Sequence, residues 1–247
     1  MILPRNAPAP SELAGLVFDK DGTLFDFERT WANWCADFIH GLTAGEPEST
    51  RALARAFHYD LETRRFAPTS PIIAGTLEVI VEAIRHVRPH LDERAVRRHI
   101  TVATADVPQV EAVPLVPLLD RLRGAGFVLG VATNDAEDPA RAHLEAAGVL
   151  DRFAFIAGYD SGYGAKPGPG MLRAFCDMTS LAPERCAMIG DSTHDLASGR
   201  TAGMHTVGVL TGLASTEDPA VLADVVLSDI GALPKWLGMS ADALTMS

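Results

Sequence analysis

Six short apolar runs, separated by polar or helical stretches, constrain this chain more than any other feature. They are Leu13–Phe18, Phe127–Ala132, Phe153–Ala157, Cys186–Ile189, Thr206–Leu210 and Val225–Leu227. Each is nearly continuous in apolar residues instead of alternating with polar ones. Such runs suit strands covered on both faces, the environment of a parallel sheet. The segments between the later runs carry helix boundaries. Asp138-Pro139 reads as an N-cap followed by proline at the first helical position, and that helix stops at Gly148. Leu196–Ala202 stops likewise at Gly203. Strands and helices alternating at this spacing predict a doubly wound α/β sheet.

The alternation breaks once. From Phe27 to about Val113 no clear strand is legible, and four helical stripes take its place. Trp31, Trp34 and Phe38 share one face; Leu53, Phe57 and Leu61 share the next. Leu77, Ile80, Val81 and Ile84 form a third, and Leu91, Ala95 and Val96 begin a fourth. Pro47, Pro68, Pro71 and Pro89 punctuate them. An interval of that length is too long for a plain loop. The expected organisation is an α/β core of residues 1–26 and 113–247, with a helical domain of residues 27–112 inserted after the first strand. The start, with Pro4, Pro8 and Pro10, reads as an extended lead-in.

Composition narrows the partners. With 47% apolar and 21% charged residues the chain is neither disordered nor fibrous. Lys plus Arg number 21 against 32 Asp plus Glu, a formal charge of −11. Nucleic acid and anionic membrane surfaces are therefore repelled on average. A small anionic substrate would need a local positive group or a bound cation. Cys35, Cys176 and Cys186 are too few and too scattered for a disulfide framework or a zinc cage, and read as small buried apolar residues. Met1–Pro10 lacks the apolar core of a signal peptide, and no run approaches a membrane span. The expectation is a cytoplasmic protein.

Polar groups collect where the strands should end. Asp19-Lys-Asp-Gly-Thr follows the first run directly, so two carboxylates at i and i+2 sit where α/β sheets place ligands. Gly22 permits a tight turn there. Two close carboxylates repel one another, and a hard divalent cation, Mg²⁺, would relieve that repulsion. Thr133-Asn134 ends the second run, Lys166-Pro167 lies after the third, and Gly190-Asp191-Ser-Thr-His-Asp195 ends the fourth. Each has a bland alternative: a helix cap for Thr133-Asn134, a solvated surface side chain for Lys166, an Asx turn for Asp191, a helix start for Asp195. Their convergence on one sheet edge is what counts. Gly124-Ala-Gly126 precedes a strand, so it is no dinucleotide fingerprint, and no P-loop string exists.

In that order, Asp-x-Asp-Gly-Thr, Thr, Lys-Pro and Gly-Asp-Ser-x-x-Asp, the chain resembles the haloacid dehalogenase superfamily over about residues 12–26 and 113–235. Within it, the phosphoglycolate phosphatase-like branch is most similar, and the helical insertion resembles that branch's C1-type cap. The resemblance implies that Asp19 is a nucleophile forming an aspartyl-phosphate and Asp21 the general acid/base. It implies Mg²⁺ held by the Asp19 carboxylate, the Asp21 backbone carbonyl and Asp191. Thr133, Asn134 and the backbone N–H groups of Asp21 and Gly22 would bind the phosphoryl group. Lys166 would offset charge between nucleophile and phosphate, and Asp195 would support the site. The implied substrate is a small phosphorylated metabolite, phosphoglycolate first.

The chemistry adds its own expectations. Mg²⁺ and Lys166 should keep Asp19 ionised, whereas neighbours and partial burial on cap closure should raise Asp21 so that it carries a proton when substrate arrives. Lys20, by strand alternation, should point away from Asp19 and receives no role. Trp31 and Trp34 are expected in the core of the insertion, Arg64-Arg65 on a solvated face, and Asp160 as a support residue for the Lys166 region. A phosphomutase would use the same residues. A phospho-aspartate signalling receiver would be about half as long and lack the insertion, and a non-catalytic binding protein would have little need of the intact Asp19, Asp21, Lys166 and Asp191 set.

Overall fold

The computed structural model describes residues 12–213 and 221–239. The expected lead-in at Met1–Pro10 lies outside them. After β1 (Gly15–Phe18) the chain leaves the sheet for α1 (Phe27–Thr43), α2 (Pro47–Ala56), a small hairpin of β2 (Tyr59–Asp60) and β3 (Arg65–Phe66), α3 (Pro71–Ala74), α4 (Leu77–Val87) and α5 (Glu93–Ala105). It returns through α6 (Leu115–Gly124) and then alternates: β4 (Val128–Ala132), α7 (Glu137–Ala146), β5 (Phe155–Ala157), α8 (Gly170–Thr179), β6 (Cys186–Gly190), α9 (Thr193–Ala202) and β7 (His205–Val209). β8 (Val225–Leu227) and the short α10 (Leu233–Trp236) follow.

All six apolar runs become strands of one parallel sheet, ordered β5-β4-β1-β6-β7-β8. Their ends lie within two residues of the sequence reading. β1 is central, with Phe18 level with Val131 of β4 and Ile189 of β6. Both faces are buried. One carries Leu16, Phe18, Leu119 and Leu129; the other carries Val17, Phe175, Cys186 and Met188. Gly130 explains how closely α8 lies on the second face, since a Cβ there would stand 2.7 Å from the Phe175 ring. The three cysteines are free thiols in the core, as expected.

The helices of residues 27–107 build a second apolar cluster, including Trp31, Phe38, Leu53, Phe57, Ile84 and Ile100. Of the fourth expected stripe, Leu91 precedes α5 and Ala95 is exposed, so Val96 with Ile100 makes the buried face. The other three expected stripes are present, but the second does not run on to Leu61. The helix stops at Ala56, and Tyr59 and Phe66 pair across the β2–β3 hairpin instead. The aromatic pair packs at 4.9 Å between ring centroids, and this cross-strand contact is invisible to a helical periodicity. The chain crosses into and out of the helices through two segments that bond each other: Asp26 N–H donates to Val110 O (2.8 Å) and Ala112 N–H to Leu24 O (3.0 Å).

Two helix starts differ from the reading. α7 is capped at Ala136, not Asp138, because Asp160 reaches over to accept the Glu137 N–H at 2.9 Å. Asp160 thus starts a helix. α9 begins three residues before Leu196, where Ser192 and Asp195 form a capping box. Gly148 and Gly203 stop the two helices at positive φ, as expected. Among the described residues, no helix is long and apolar enough to cross a membrane.

Candidate active site

Asp19, Thr133 and Asp191 each follow the last residue of a strand, β1, β4 and β6 respectively. Those strands are neighbours, so parallel pairing alone places the three side by side at the carboxyl edge, where the chain turns outward from β1 in both directions. Lys166 arrives from the loop between β5 and α8. Its Nζ donates to Asp19 Oδ1 at 2.6 Å and to Asp195 Oδ1 at 2.6 Å. The other oxygen of Asp195 accepts the Ser192 N–H (3.0 Å) and hydroxyl (2.7 Å). Asp195 is therefore locked from both sides.

Burial and charge set the proton affinities. Burial pushes Asp19 up to about 7, reinforced by Asp195 and opposed by Lys166. Burial also raises Asp191 well above the carboxylate range, with Asp195 and Asp19 adding to it. Burial alone would lower Lys166, but Asp19 and Asp195 outweigh it and hold the ammonium above its ordinary value. Asp191 is 3% exposed and has no ion pair among the described residues. Oxygens of Asp19, Asp191 and Asp195 lie within 4.8 Å of one another. This crowding of hard oxygen donors around one cation fits a divalent ion. Since Asp195 is spent on Lys166 and Ser192, Asp19 and Asp191 are the donors left for it.

Gly22 serves differently from the expectation. Its N–H donates to Phe25 O at 2.7 Å and is committed to the turn. Its backbone has φ of +77°, and a Cβ would lie 2.5 Å from Asp191 Oδ2. Glycine is required so that the turn can close against that carboxylate. Asn134 also has a second duty. Its side chain brackets the Lys166 backbone, accepting the N–H (2.8 Å) and donating to the carbonyl (3.0 Å). Thr133 accepts the Asp135 N–H (3.0 Å) on its hydroxyl oxygen and lines the cavity.

Lys20 overturns an expectation and sets the charge state of Asp21. Lys20 is 0% exposed, and its ammonium meets Asp21 Oδ2 (2.7 Å), Asp135 Oδ2 (3.5 Å) and His143 Nδ1 (3.2 Å). It also lies 5.5 Å from the Trp31 ring centroid. Alternation sends Lys20 to the side away from Lys166, but that side is where Asp21, Asp135 and His143 gather. Burial alone would raise Asp21. The Lys20 charge and hydrogen bond, with the Trp31 Nε1–H donated to Asp21 Oδ1 (2.7 Å), outweigh it and hold Asp21 below the usual carboxylate range. Before substrate enters, Asp21 is therefore ionised and Asp19 has a raised pKa.

His143 links the core to the insertion. Because Lys20 donates to Nδ1, that nitrogen is unprotonated, and Nε2–H donates to Thr104 O of α5 at 2.9 Å. Burial and Lys20 keep the ring neutral by lowering its pKa. The signal for these residues was present in the sequence. Asp135 follows Thr133-Asn134 directly, and His143 shares the buried helical face of Ala140 and Leu144.

The cavity above these groups holds about 840 Å³, part of it open to solvent, and reaches from Asp19 and Thr133 to Trp31, Trp34 and Ile80 of the insertion. Trp31 and Trp34 are thus both core and cavity wall. Arg64 and Arg65 stay outside the cavity, pairing with Asn33 and Glu28.

A parallel sheet with this edge of aspartates and lysine, and a helical insertion after its first strand, defines a class. The chain belongs to the haloacid dehalogenase-like hydrolases, whose sequence pattern matches residues 13–203. It is 36% identical over 121 residues to the phosphoglycolate phosphatase of Rhodospirillum rubrum, a match spanning 49% of this chain and 50% of that one. It is 30% identical over 242 residues to the "Probable phosphatase IndB" of Dickeya dadantii, spanning 93% of this chain and 97% of that one. In three dimensions it resembles a predicted phosphoglycolate phosphatase of Haemophilus somnus with a TM-score of 0.70 at 18% identity, over 91% of this chain and 97% of the other.

Proposed function

We propose that this chain is a Mg²⁺-dependent phosphatase that hydrolyses a small phosphomonoester through an aspartyl-phosphate on Asp19. The observation that carries the reading is Lys166, buried and bonded to both Asp19 and Asp195 beside Asp191. A carboxylate attacking a phosphate dianion must overcome repulsion between two anions. Lys166 supplies one compensating charge. Asp19, Asp191 and the Asp21 backbone carbonyl would hold Mg²⁺, which supplies further positive charge when bound.

Asp19 then attacks phosphorus as the ester oxygen departs, and Asp21 gives that oxygen its proton. Asp21 has to gain the proton first. The phosphate's charge beside it favours that protonation, against Lys20 and Trp31. In the second step Asp21 takes a proton from water, the water oxygen bonds phosphorus, and the bond to Asp19 breaks. Thr133 has a hydroxyl hydrogen free to hold the transferring group. Asn134 sets the Lys166 backbone. The helices of residues 27–112 act as a cap that excludes bulk water.

The names of the relatives make phosphoglycolate the first compound to assay. Phosphate release is measured from phosphoglycolate, acetyl phosphate and 4-nitrophenyl phosphate, with Mg²⁺ and with EDTA. The proposal expects Mg²⁺-dependent release of inorganic phosphate. No release from any ester would overturn it, and transfer to a second alcohol without release would make the chain a phosphomutase.

A further inference from the structure

The cap side of the cavity is walled by Trp31, Trp34, Ile72, Ile73, Leu77 and Ile80. Two aromatic and four branched aliphatic side chains face the space that a leaving group would fill. The polar atoms on this wall are already spent inward. Trp31 Nε1–H donates to Asp21 and Trp34 Nε1–H to Ala103 O (3.0 Å). The Thr101 hydroxyl donates to Arg97 O (3.1 Å) and the Thr104 hydroxyl to Ile100 O (2.9 Å). Lys166 is the one Lys or Arg on the cavity among the described residues, and two carboxylates hold it. Arg97, next to Thr101 on α5, is taken by Glu78 and Glu93. His194, with a buried Nδ1 that lacks a partner, belongs to the loop of Asp191 and Asp195 and so to the phosphate end.

We infer that the leaving group this cavity accepts is apolar: the alkyl or aryl part of a phosphomonoester, not a carboxylate-bearing or polyhydroxylated one. The inference rests on the phosphatase reading above and deepens it. A carboxylate entering this chamber would lose water and, among the described residues, meet no cation that is not already paired, with Asp21 and Asp135 on the opposite wall. A sugar would bury several hydroxyls against indole and isoleucine with no free donor from the cap. An apolar group loses nothing by leaving water and gains contact with six apolar side chains.

The test is a series of alkyl phosphates, from methyl through propyl to pentyl, assayed with Mg²⁺ beside phosphoglycolate. Their leaving alcohols have nearly equal intrinsic reactivity, so a trend in kcat/KM reports binding. Glycolate is the better leaving group, so chemistry alone would favour phosphoglycolate. The expected result is about a fourfold rise in kcat/KM per methylene, the value of burying one CH₂. Phosphoglycolate should fall roughly tenfold or more below propyl phosphate, the cost of an unpaired carboxylate. A flat series, or phosphoglycolate above propyl phosphate, overturns the inference.

Tryptophan-fluorescence titration with the matching alkylphosphonates separates this inference from the phosphatase reading. Affinity that climbs with chain length in the absence of any turnover sinks the reading and keeps the pocket. Flat affinity sinks the pocket whatever the turnover. Ile72→Lys supplies a converse: a variant that melts like the wild type should gain kcat/KM on phosphoglycolate and lose it on pentyl phosphate. An unchanged ratio in that folded variant contradicts the placement of the wall, and the wild-type series decides the question on its own if the variant does not fold.

Discussion

Replacing Lys20 by Met keeps most of the side chain's apolar length and removes its charge. The ammonium is fully buried against Asp21 at 2.7 Å and Asp135 at 3.5 Å, so the substitution leaves two partly buried carboxylates without their cation. Breaking a buried pair in this way costs about 3–5 kcal/mol, mostly from the charge left behind. Part of that cost disappears if a carboxylate takes up a proton. For Lys20→Met we therefore expect a loss of about 3 kcal/mol at pH 8 that shrinks toward pH 5 as Asp21 or Asp135 protonates. At this chain length that corresponds to a fall in Tm of roughly 6–12 °C. The assay is urea unfolding of the wild type, Lys20→Met, Asp135→Asn and the double variant at both pH values. Asp135→Asn should recover part of the loss in the double variant, giving a coupling energy of about 1 kcal/mol or more. A loss below about 1 kcal/mol, or one equal at pH 5 and pH 8, would refute the reasoning: Lys20 would then be a dispensable filler.

Other outcomes follow from the same geometry. Trp31→Phe keeps most of the packing but removes the hydrogen bond to Asp21, so kcat on an alkyl phosphate should fall about tenfold with a stability loss of about 1 kcal/mol; unchanged kcat would show that Trp31 does not position the acid. Without metal, Asp19 has a folded pKa of about 7, above the unfolded value, so its contribution to stability is complete below about pH 4 and is lost as pH rises through 7. In EDTA the Tm should therefore decline from pH 5 to pH 7, and Mg²⁺ should raise it more at pH 7 than at pH 5; a Tm that climbs over that range in EDTA contradicts the account. Gly22→Ala sets a Cβ 2.5 Å from Asp191 at a positive φ, so it should weaken Mg²⁺ binding, measured by calorimetry, at least as much as it lowers the Tm.

The parts of the fold written in local patterns were legible. Continuous apolar runs such as Cys186–Ile189 suit doubly covered strands, and the break in alternation from Phe27 onward marked the insertion. Motif order then placed Asp19, Thr133, Lys166 and Asp191 on one edge, because parallel strands end on the same side. What stayed hidden depended on contacts between distant segments. The β2–β3 hairpin rests on Tyr59 meeting Phe66, and the start of α7 on Asp160 reaching Glu137. Lys20 was misjudged for the same reason. Alternation gives the side a residue faces but not what waits there, and its partners Asp135 and His143 stand more than a hundred positions away. The low proton affinity of Asp21 follows from that hidden cluster, since Lys20 and Trp31 hold it ionised, whereas Asp19 is raised separately by burial and Asp195.

The central claim is that Asp19 becomes covalently phosphorylated. Rapid acid quench during turnover of a good ester, followed by proteolysis and mass spectrometry, tests it directly. The account predicts a phosphoryl adduct, removable by hydroxylamine, on the peptide carrying Asp19, and none after Asp19→Asn, which should also be inactive. An adduct on another residue, or turnover at the wild-type rate in Asp19→Asn, would contradict it.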